Sequence, residues 1–529
     1  MAEKYYITTA ISYPNGRPHI GHAYEAIAAD VIARHQRMQG KDVRFQTGTD
    51  EHGLKMAQKA RELGVTPKAL ADEMTQYFID MCDGLNVSYD VFQRTTEPRH
   101  HEASQELWRR MEANGDLYLD RYEGWYSVRD EAYYDESELI EGEGGEKLSP
   151  QGTPVEWTVE ESWFFRLSKY AEPLLKLYNE QPDFIRPESR RNEIMRFVEG
   201  GLRDLSVSRT SFDWGVKVPG SEQHVMYVWV DALTNYITGL GFPDEQGDFA
   251  KYWPADLHLI GKDITRFHTI YWPAFLWSAG IAIPEHVFSH GFLLNRGQKE
   301  SKSLGNVTDP MELAERFGVD VLRYFLMREV AFGQDGSYSP ETIVMRANAE
   351  LSNSFGNLAQ RILSFIAKNL DGELPLVDTE ATMALVDREF LGAVELNLSQ
   401  FLIEMDLLNI DRALQEWMQA VFAANAYVDA QAPWTLKKTD PERMREVLSV
   451  LCCAIHDLSL ALLPFAPSAA EKVLDLLGSK ADRTYRLNLN GCWHIWDLSW
   501  MAAAHSRQHR IISPTPAFPR LELPAEDLA

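Results

Sequence analysis

The most restrictive feature of the sequence is a strand, turn, helix and strand pattern over residues 5–50. Residues 5–11 (YYITTAI) are rich in β-branched and aromatic residues and predict a buried strand, which a turn-forming run over residues 12–18 ends. Apolar residues then recur at the spacing of one helical face, at Ile20, Tyr24, Ile27 and Val31. Gly40 is placed to end this helix, and residues 43–47 predict a second strand. Such a unit is a right-handed crossover of a parallel sheet, which binds ligands beyond the carboxyl ends of its strands.

Two histidines, His19 and His22, stand one turn apart at the start of this helix. The helix dipole and the N–H groups of the first turn favour an anion here, and Gly21 allows a ligand to approach the backbone closely. Two other interpretations remain open. The pair could be half of a metal site, although the Glu of the helical zinc motif His-Glu-x-x-His is absent, or it could be two ordinary surface histidines.

The composition indicates a large globular protein. Its 529 residues are 45% hydrophobic, which is enough for several domains with extensive cores. The 52 basic and 78 acidic residues give a net charge of −26, so binding to nucleic acid would require a local basic patch. The four cysteines are not spaced as ligand pairs and indicate no disulfide framework. Because there is no leader-like segment and no apolar run of membrane-spanning length, we expect a cytoplasmic protein that does not enter membranes.

Further candidate residues follow the ends of predicted strands. Asp50 and His52 follow the second strand, so we expect both to face the same crevice as His19. Asp50 could bind an amino group there, or it could cap the next helix. Residues 224–231 and 256–261 predict two more strands of the sheet. The aromatic residues after them could form a ligand pocket or simply fill the core; they are Trp229, Tyr236, Phe267 and Trp272.

A polar loop follows the last predicted strand, residues 287–294. Residues 295–306 (NRGQKESKSLGN) include Lys299 and Lys302 together with two serines and two glycines. Cations and small polar residues in a loop are well suited to fold over phosphates. We therefore expect a second anion-binding segment at the opposite end of the sheet from His19.

The pattern changes twice along the chain. Residues 116 to about 213 become strand-like and irregular, which predicts a domain inserted into the sheet. Its last part, residues 186–209, is the densest basic stretch and is either a nucleic-acid patch or a solvated helix face. From residue 350 amphipathic helices predict a helical bundle. Four prolines in residues 506–529 predict an extended tail, either disordered or laid back over the surface.

Two motifs and several longer runs give the chain a family resemblance. His19-Ile20-Gly21-His22 matches the first motif of class I aminoacyl-tRNA synthetases at every position, and Lys299-Glu300-Ser301-Lys302-Ser303 matches the second, Lys-Met-Ser-Lys-Ser, at four of five. Within that class the chain resembles the methionyl-tRNA synthetase family over nearly its whole length. The longer runs are Ala10-Ile11-Ser12-Tyr13, Tyr227-Val228-Trp229-Val230-Asp231-Ala232, Ile260-Gly261-Lys262-Asp263-Ile264 and Gln431-Ala432-Pro433-Trp434.

The resemblance implies an α/β fold, in which a Rossmann-type parallel sheet is split by an inserted domain and followed by an all-α bundle. The expected parts are 1–115 and 213–290 for the two halves of the catalytic domain, 116–212 for the inserted connective domain, 291–345 for the second-motif loop and linking subdomain, 346–500 for the helical anticodon-binding domain, and 501–529 for an extended tail.

The implied reaction joins L-methionine to tRNA(Met), including the initiator tRNA. ATP with Mg²⁺ first gives methionyl-adenylate and pyrophosphate, and the methionyl group then passes to the 3′-terminal ribose; the enzyme is expected to be a monomer. The residues that the resemblance assigns to catalysis are His19, His22, Lys299 and Lys302. The residues that it assigns to ATP binding are His19, Gly21, His22, Asp263, Lys299 and Lys302.

Other roles also follow from the resemblance alone. The residues assigned to methionine are Ala10, Ile11, Tyr13, Asp50, Trp229, Leu233, Tyr236, Ile264, Phe267, His268 and Trp272. Among these, the Ile11 N–H and the Tyr236 hydroxyl are expected to contact the sulfur. Asn357, Arg361 and Trp434 are assigned to the anticodon, although Trp434 could instead be a packing residue at a helix start.

The sequence departs from the family pattern in two places. Glu300 replaces the Met of the second motif and puts a negative charge beside two lysines. Many relatives have Cys-x-x-Cys where this chain has Ser127-Val128-Arg129-Asp130, and residues 143–156 contain no Cys or His, so we expect no zinc. The alternatives are another class I synthetase, which would have a larger editing insertion, a small-molecule nucleotidyltransferase, which would need no helical half, and a tRNA-binding paralogue inactivated at Glu300.

Overall fold

The computed structural model describes residues 2–130, 132–142, 144–300, 307–376, 383–479, 484–485, 487–488, 491–495 and 499–523. It confirms the predicted crossover unit: β1 (Lys4–Thr9), α1 (Ile20–Met38) and β2 (Asp42–Thr49), with the two strands paired in parallel. The next elements are α2 (Leu54–Leu63), α3 (Pro67–Gly84), β3 (Val91–Arg94) and α4 (Pro98–Ala113). No helix within the described ranges has the length and apolarity to cross a membrane.

Residues 117–226 form mainly short antiparallel strands. The elements are β4 (Leu117–Ser127), β5 (Ala132–Tyr134), β6 (Ile140–Glu141), β7 (Lys147–Leu148), β8 (Glu156–Phe165), α5 (Ala171–Glu180), β9 (Ile185–Arg186), α6 (Glu188–Glu199), β10 (Leu205–Ser206), β11 (Ser208–Arg209), β12 (Lys217–Val218) and β13 (Ser221–Met226). β10, β8, β4 and β5 make one antiparallel sheet, and β11, β13 and β12 make another.

The second half of the main sheet comprises α7 (Val228–Thr238), α8 (Gly247–Tyr252), β14 (Leu257–Gly261), α9 (Trp272–Ser278) and β15 (Val287–His290). The six strands run in the order β3, β2, β1, β14, β15, β9, and every pair is parallel. The edge strand β9 therefore comes from the segment that the sequence places in the insertion.

Two strand predictions are wrong. Residues 224–231 do not continue the parallel sheet: β13 ends at Met226 in a separate antiparallel sheet, and α7 begins at Val228. A short apolar run cannot by itself distinguish a strand from a buried helix. Residues 287–294 are also not one strand, because the strand is interrupted at Gly291. A Cβ atom at Gly291 would lie 2.2 Å from the carbonyl carbon of Gln334. This close backbone approach requires glycine.

The chain then forms β16 (Leu293–Asn295), β17 (Gln298–Lys299), α10 (Pro310–Phe317), α11 (Val319–Glu329), β18 (Gly336–Tyr338) and α12 (Pro340–Arg346), and β17, β16 and β18 make a small sheet. The predicted helical half is confirmed. After a π-helical stretch, Ala347–Gly356, it consists of α13 (Asn357–Asn369), α14 (Leu385–Asp406), α15 (Ile410–Gln431), α16 (Pro433–Thr439), α17 (Pro441–Leu462), α18 (Pro467–Leu476) and α19 (Ser499–Ser506).

The C-terminal tail is helical at its start, because α19 reaches Ser506, so the prediction of an extended tail from residue 501 is wrong for its first turns. The tail residues up to 523 lie back over the bundle, as one of the two alternatives predicted. The Asn348 side chain donates to the Leu521 carbonyl at 2.8 Å, and the Gln360 side chain donates to the Pro514 carbonyl at 2.8 Å.

One hydrophobic core is continuous from α1 through α11 into the helical bundle, while a second core fills the other face of the parallel sheet. Arg323 of α11 lies fully buried where the sheet domain and the bundle meet. It donates to the Asp30 carboxylate and to four backbone carbonyls, those of Leu85, Asn86, Pro464 and Phe465. A buried guanidinium with this many acceptors is a satisfied charge, so it joins the two regions firmly.

Candidate active site

A cavity of about 450 Å³ lies at the carboxyl ends of the central strands. This is the place where an open parallel sheet is expected to bind ligands. The predicted site residues that line it are Ala10, Ile11, Tyr13, His19, Gly21, His22, Asp50, Trp229, Asp263 and Ile264. The remaining predicted residues of this region do not line the cavity and lie in a buried layer beside it; they are Leu233, Tyr236, Phe267, His268 and Trp272.

His19 and His22 hold each other in place at the start of α1. The His19 Nδ1 atom accepts the Gly21 N–H at 3.1 Å, and the His22 Nδ1 atom accepts the His19 N–H at 3.1 Å, which makes a reciprocal capping box. A ring nitrogen that accepts an N–H has no proton of its own, so each neutral ring is protonated at Nε2. The ring centroids are 3.9 Å apart. Two imidazole N–H donors therefore lie side by side at the cavity, an arrangement suited to anionic oxygens.

The backbone N–H groups of this helix end are engaged differently from the prediction. The Ile20 N–H donates to the Thr308 carbonyl at 3.2 Å, and the His22 N–H donates to the His19 carbonyl at 2.9 Å. With the Gly21 N–H bound to the His19 ring, the prediction that these groups await an anion is wrong. Gly21 instead provides space, since a Cβ atom there would lie 2.9 Å from the His19 ring.

Trp229 separates the cavity from an aromatic layer. Its ring stacks on Phe267 with centroids 3.8 Å apart and planes 10° from parallel. In the layer, His268 Nδ1 lies 3.0 Å from the Ile264 carbonyl oxygen, which can only accept, so Nδ1 holds the proton and Nε2 accepts from the Tyr236 hydroxyl at 2.6 Å. Burial lowers the pKa of His268 to about 4, which keeps the ring neutral. The Tyr236 proton is thus directed at His268.

Asp50 lies where the sequence predicts, at the cavity after β2. Its backbone N–H donates to the Ser12 carbonyl at 2.9 Å, which joins the loops that follow β1 and β2. The alternative, that Asp50 caps the next helix, is wrong, because the N-cap of α2 is Gly53 and no side chain caps that helix. The Asp50 carboxylate thus lines the cavity at a position suited to a cationic ligand group.

His52 does not face the cavity, so that prediction is wrong. It is buried, and its Nδ1 atom lies 2.6 Å from Asp231 Oδ2. His100 Nε2 lies 2.7 Å from Asp231 Oδ1. Although burial opposes ionisation, the two imidazoles lower the pKa of Asp231. This cluster ties the loop after β2 to α7 and α4, and nothing in the spacing of the three residues signals it.

Glu25 and His290 also line the cavity, although the sequence did not single them out. His290 Nε2 lies 2.8 Å from Glu25 Oε2, and His290 Nδ1 lies 2.8 Å from the Gly291 carbonyl oxygen. When Glu25 is ionised, both partners can only accept hydrogen bonds. His290 then holds a proton on each ring nitrogen and is cationic. Burial opposes this charge, but the hydrogen bond to Glu25 raises the pKa of His290. A lone histidine at the end of an apolar strand is too weak a signal to find this group.

The second motif is described only in part. Residues 301–306, which include Lys302, and the side chain of Lys299 lie outside the described residues. Glu300 is described and lines the cavity. It accepts hydrogen bonds from the Thr308 and Tyr338 hydroxyls. Asp263 completes this side of the cavity, and Gly261 makes room for it, since a Cβ atom there would lie 2.8 Å from Asp263 Oδ1.

Far along the chain, Arg361 and Trp434 form a surface pair on the helical half. The Arg361 guanidinium carbon lies 5.0 Å from the centroid of the Trp434 ring. Trp434 is 42% exposed, so it is not a buried packing residue at the start of α16. Asn357 is exposed one turn before Arg361 on α13. An exposed indole beside an arginine is a surface on which a nucleic-acid base can stack.

The basic stretch over residues 186–209 is largely neutralised. Arg190 pairs with Glu193 and Arg191 with Glu188, each within one turn of α6. Arg209 is buried and packs its guanidinium over the Tyr133 and Tyr227 rings, 4.6 and 4.7 Å from the centroids. These contacts favour an ordinary structural role over a nucleic-acid patch.

Hydroxyl groups and one carboxylate occupy the segment in which many relatives have cysteines. Asp130 Oδ2 accepts from Ser149 Oγ at 2.6 Å and from Thr153 Oγ1 at 2.6 Å, and Ser127 Oγ lies 2.6 Å from Thr153 Oγ1. In the part of the chain that the structure describes, no group of three or more His, Cys, Asp or Glu is placed to hold a metal ion. The lack of zinc stays a prediction.

Comparisons with known proteins identify the family. A family model described as tRNA synthetases class I (M) matches residues 5–363, and one described as the anticodon binding domain of methionyl tRNA ligase matches residues 377–494. The methionine–tRNA ligase of Brucella melitensis is 57% identical over 485 residues, 91% of this chain and 93% of that protein. The Rickettsia conorii enzyme is 47% identical over 523 residues, 99% of this chain and 100% of that protein.

A solved structure gives the same result. Mycobacterium tuberculosis methionyl-tRNA synthetase in complex with methionyl-adenylate has a TM-score of 0.89 and 52% identity to this chain, covering 98% of this chain and 100% of that one. The fold, the cavity at the strand ends and the helical half thus agree with one class of ligase. The chain belongs to the methionyl-tRNA synthetase family of class I aminoacyl-tRNA synthetases, ligases that form an aminoacyl-tRNA.

Proposed function

We propose that the cavity binds L-methionine and ATP together and forms methionyl-adenylate. The observation that supports this most directly is that two kinds of surface share one cavity: the paired imidazole donors of His19 and His22 at one side, and Trp229 with its aromatic layer at the other. In this reaction the methionine carboxylate attacks the α-phosphorus in line, and pyrophosphate leaves. Positioning and stabilisation of developing negative charge account for most of the rate enhancement in such a step.

The nucleotide would lie against His19, Gly21, His22 and Asp263. The Nε2–H groups of the two histidines would donate to phosphate oxygens, and the Asp263 carboxylate would accept from the ribose. The lysines Lys299 and Lys302 would neutralise the pyrophosphate as it departs, with Mg²⁺ held by the phosphates themselves.

Methionine would lie between Asp50 and Trp229. The Asp50 carboxylate would hold the ammonium group, and Ala10, Ile11, Tyr13 and Ile264 would surround the side chain. A thioether accepts hydrogen bonds weakly and is recognised mainly by shape and polarisability. Because the Tyr236 proton is directed at His268, the sulfur contact would depend on the Ile11 N–H and on the packing of Phe267, Leu233 and Trp272 behind Trp229.

The helical half would then read the anticodon of tRNA(Met), elongator and initiator alike. Trp434 would be the stacking platform, with Arg361 and Asn357 for base edges and phosphates. We further propose that the enzyme acts as a monomer in the cytoplasm.

The test is exchange of labelled pyrophosphate into ATP with each of the twenty amino acids supplied separately. Methionine alone should support rapid exchange without tRNA, and the purified enzyme should then charge tRNA(Met). Exchange driven by leucine, isoleucine or valine would point to another class I specificity. Binding of tRNA without exchange would indicate the inactivated paralogue.

A further inference from the structure

Glu300 is the position at which the second motif departs from the family pattern, and its carboxylate is held by three donors. The Thr308 hydroxyl donates to Glu300 Oε1 at 2.6 Å, the Thr308 N–H lies 3.3 Å from Glu300 Oε2, and the Tyr338 hydroxyl also donates to Oε1. The Tyr338 and Thr308 hydroxyl oxygens are themselves 2.6 Å apart. A methionine side chain could accept these bonds only weakly.

Thr308 also contacts the first motif. Its carbonyl oxygen accepts the N–H of Ile20, the first residue of α1, at 3.2 Å. Ile20 is flanked by His19 and Gly21, whose ring and N–H are bound to each other. A continuous set of hydrogen bonds therefore runs from Glu300 through Thr308 to the helix end that presents the paired histidines.

We propose that Glu300 is a positioning residue that joins the two signature segments of the active site through Thr308 and Tyr338. This inference rests on the proposed adenylate-forming function and assigns Glu300 a favourable part in it. The carboxylate touches neither substrate nor a reacting atom in this role; it acts by fixing the groups beside it.

The hydrogen bond between Glu300 and Thr308 joins residues on either side of Lys302 in the sequence. Glu300 and Thr308 lie eight residues apart and enclose the segment that includes Lys302. Tyr338 fixes the same junction to β18, whose Asn295–Tyr338 register pairs it with β16. Glu300, Thr308 and Tyr338 are thus held together beside the first turn of α1.

An argument from the charge of Glu300 alone predicts that replacing it does not slow adenylate formation. If Glu300 only added a negative charge near the phosphates, Glu300→Met should leave adenylate formation equal or faster. The Glu300 carboxylate instead accepts hydrogen bonds from three donors, which stabilise it. Removing the carboxylate takes that acceptor away from the Thr308 and Tyr338 hydroxyls. If Glu300 is a positioning residue, Glu300→Met slows adenylate formation. If Glu300 only repels the phosphates, the same change leaves the rate equal or raises it.

The experiment measures methionine-dependent pyrophosphate exchange in Glu300→Met, Glu300→Gln, Tyr338→Phe and the double variant Glu300→Met with Tyr338→Phe. Glu300→Met should lose roughly tenfold or more in kcat, as expected when a reacting group is misplaced by a fraction of an ångström, while KM for methionine stays near wild type. Glu300→Gln should be closer to wild type, because its amide oxygen can still accept the two hydroxyls that bind Oε1. Tyr338→Phe should cost less, and the double variant should be no worse than Glu300→Met alone.

Glu315→Met is the matched control, because it removes an equal charge from an exposed position on α10 and should not change exchange. Melting temperatures check that each variant folds. If Glu300→Met does not, Tyr338→Phe decides: a loss in kcat with the melting temperature unchanged is expected, and no loss would overturn the proposal. Exchange by Glu300→Met equal to or above wild type would overturn the proposal, as would losses that multiply in the double variant. Absence of exchange in the wild-type enzyme would instead contradict the proposed function.

Discussion

The two sides of the cavity use histidine in opposite ways. On the anion side, His19 and His22 accept backbone N–H groups at Nδ1, so each neutral ring has its N–H at Nε2. On the aromatic side, His268 is buried and neutral: it donates from Nδ1 to a backbone carbonyl and accepts from Tyr236 at Nε2. His258 is also buried, and burial lowers its pKa well below the usual value, but its Nδ1 lies 2.7 Å from the Thr8 hydroxyl and its Nε2 accepts from the Trp272 N–H at 3.3 Å. For His19, His22 and His268, the backbone partner of Nδ1 decides whether Nε2 is a donor or an acceptor.

This difference shows that what a histidine offers at Nε2 follows from the hydrogen bond that its Nδ1 atom makes. In a neutral imidazole, an N–H partner at Nδ1 leaves Nε2 as a donor, as at His19 and His22, and a C=O partner at Nδ1 leaves Nε2 as an acceptor, which at His268 orients Tyr236. Replacing a ring by an amide that keeps only one of the two nitrogens therefore separates its capping role from its chemical role.

The largest expected effect is at His22. His22→Asn keeps an acceptor near the Nδ1 position and so preserves the cap, but it removes the Nε2–H donor; it should lose about 10²–10³-fold in kcat for pyrophosphate exchange, the usual effect of deleting a donor to developing negative charge. His22→Gln places an amide N–H near the Nε2 position and should recover part of this loss.

Equal loss of pyrophosphate exchange in His22→Asn and His22→Gln would contradict the assignment of Nε2–H as the donor, because the two variants differ mainly in which ring nitrogen they imitate. Equal wild-type activity in both would remove His22 from catalysis. The melting temperature of each variant would show whether loss of the cap has destabilised the fold.

A smaller effect is expected at Trp434, which lies outside the cavity. Trp434→Ala removes a stacking contact of about 1–3 kcal/mol, so kcat/KM for tRNA charging should fall roughly 5- to 150-fold. Pyrophosphate exchange without tRNA should stay near wild type. Because Trp434 also contacts Arg361, a melting curve on the same sample is needed; parallel loss of charging, exchange and stability would assign it a structural role.

A pH titration sharpens the comparison from the aromatic side. The pKa of His268 is about 4 in the folded chain, against the ordinary value of 6.5, so the unfolded chain binds the proton first. The contribution to stability is therefore complete above pH 6.5 and is lost as the pH falls toward 4, by about 3 kcal/mol at most.

His268→Gln cannot titrate and keeps an acceptor for the Tyr236 hydroxyl. Its melting temperature should fall less steeply with acid than that of the wild type. Because His258 is also buried and neutral, some acid sensitivity should remain. A variant with the wild-type acid slope would contradict the assignment of a neutral His268.

The smallest expected effect is that of metal removal. Elemental analysis should find no stoichiometric zinc, and chelators should not change the melting temperature, because Ser127, Asp130, Ser149 and Thr153 already satisfy one another. One tightly held zinc per chain would contradict this.

Periodicity, turn residues and strand ends are local signals, and from them the sequence predicts the crossover unit, the helical half and the cavity residues His19, Gly21, His22, Asp50 and Trp229. Other cavity residues were predicted only through the family resemblance; they are Ala10, Ile11, Tyr13 and Ile264. Prediction from the sequence fails where distant backbone decides the outcome. Gly291 ends a strand only because residue 334 passes beside it, and the Ile20 N–H is engaged only because Thr308 lies opposite. His52 turns inward to Asp231, a partner 179 positions away, and no local pattern reports such a pair.

Arg323 has a consequence for how the molecule moves. Its guanidinium is bound to the Asp30 carboxylate and two carbonyls on the sheet side, and to the carbonyls of Pro464 and Phe465 on the bundle side. Hinge bending at this junction would strand a buried cation without acceptors, which is strongly unfavourable. The junction at Arg323 therefore resists bending, and the distance from the cavity to Trp434 is built into the fold.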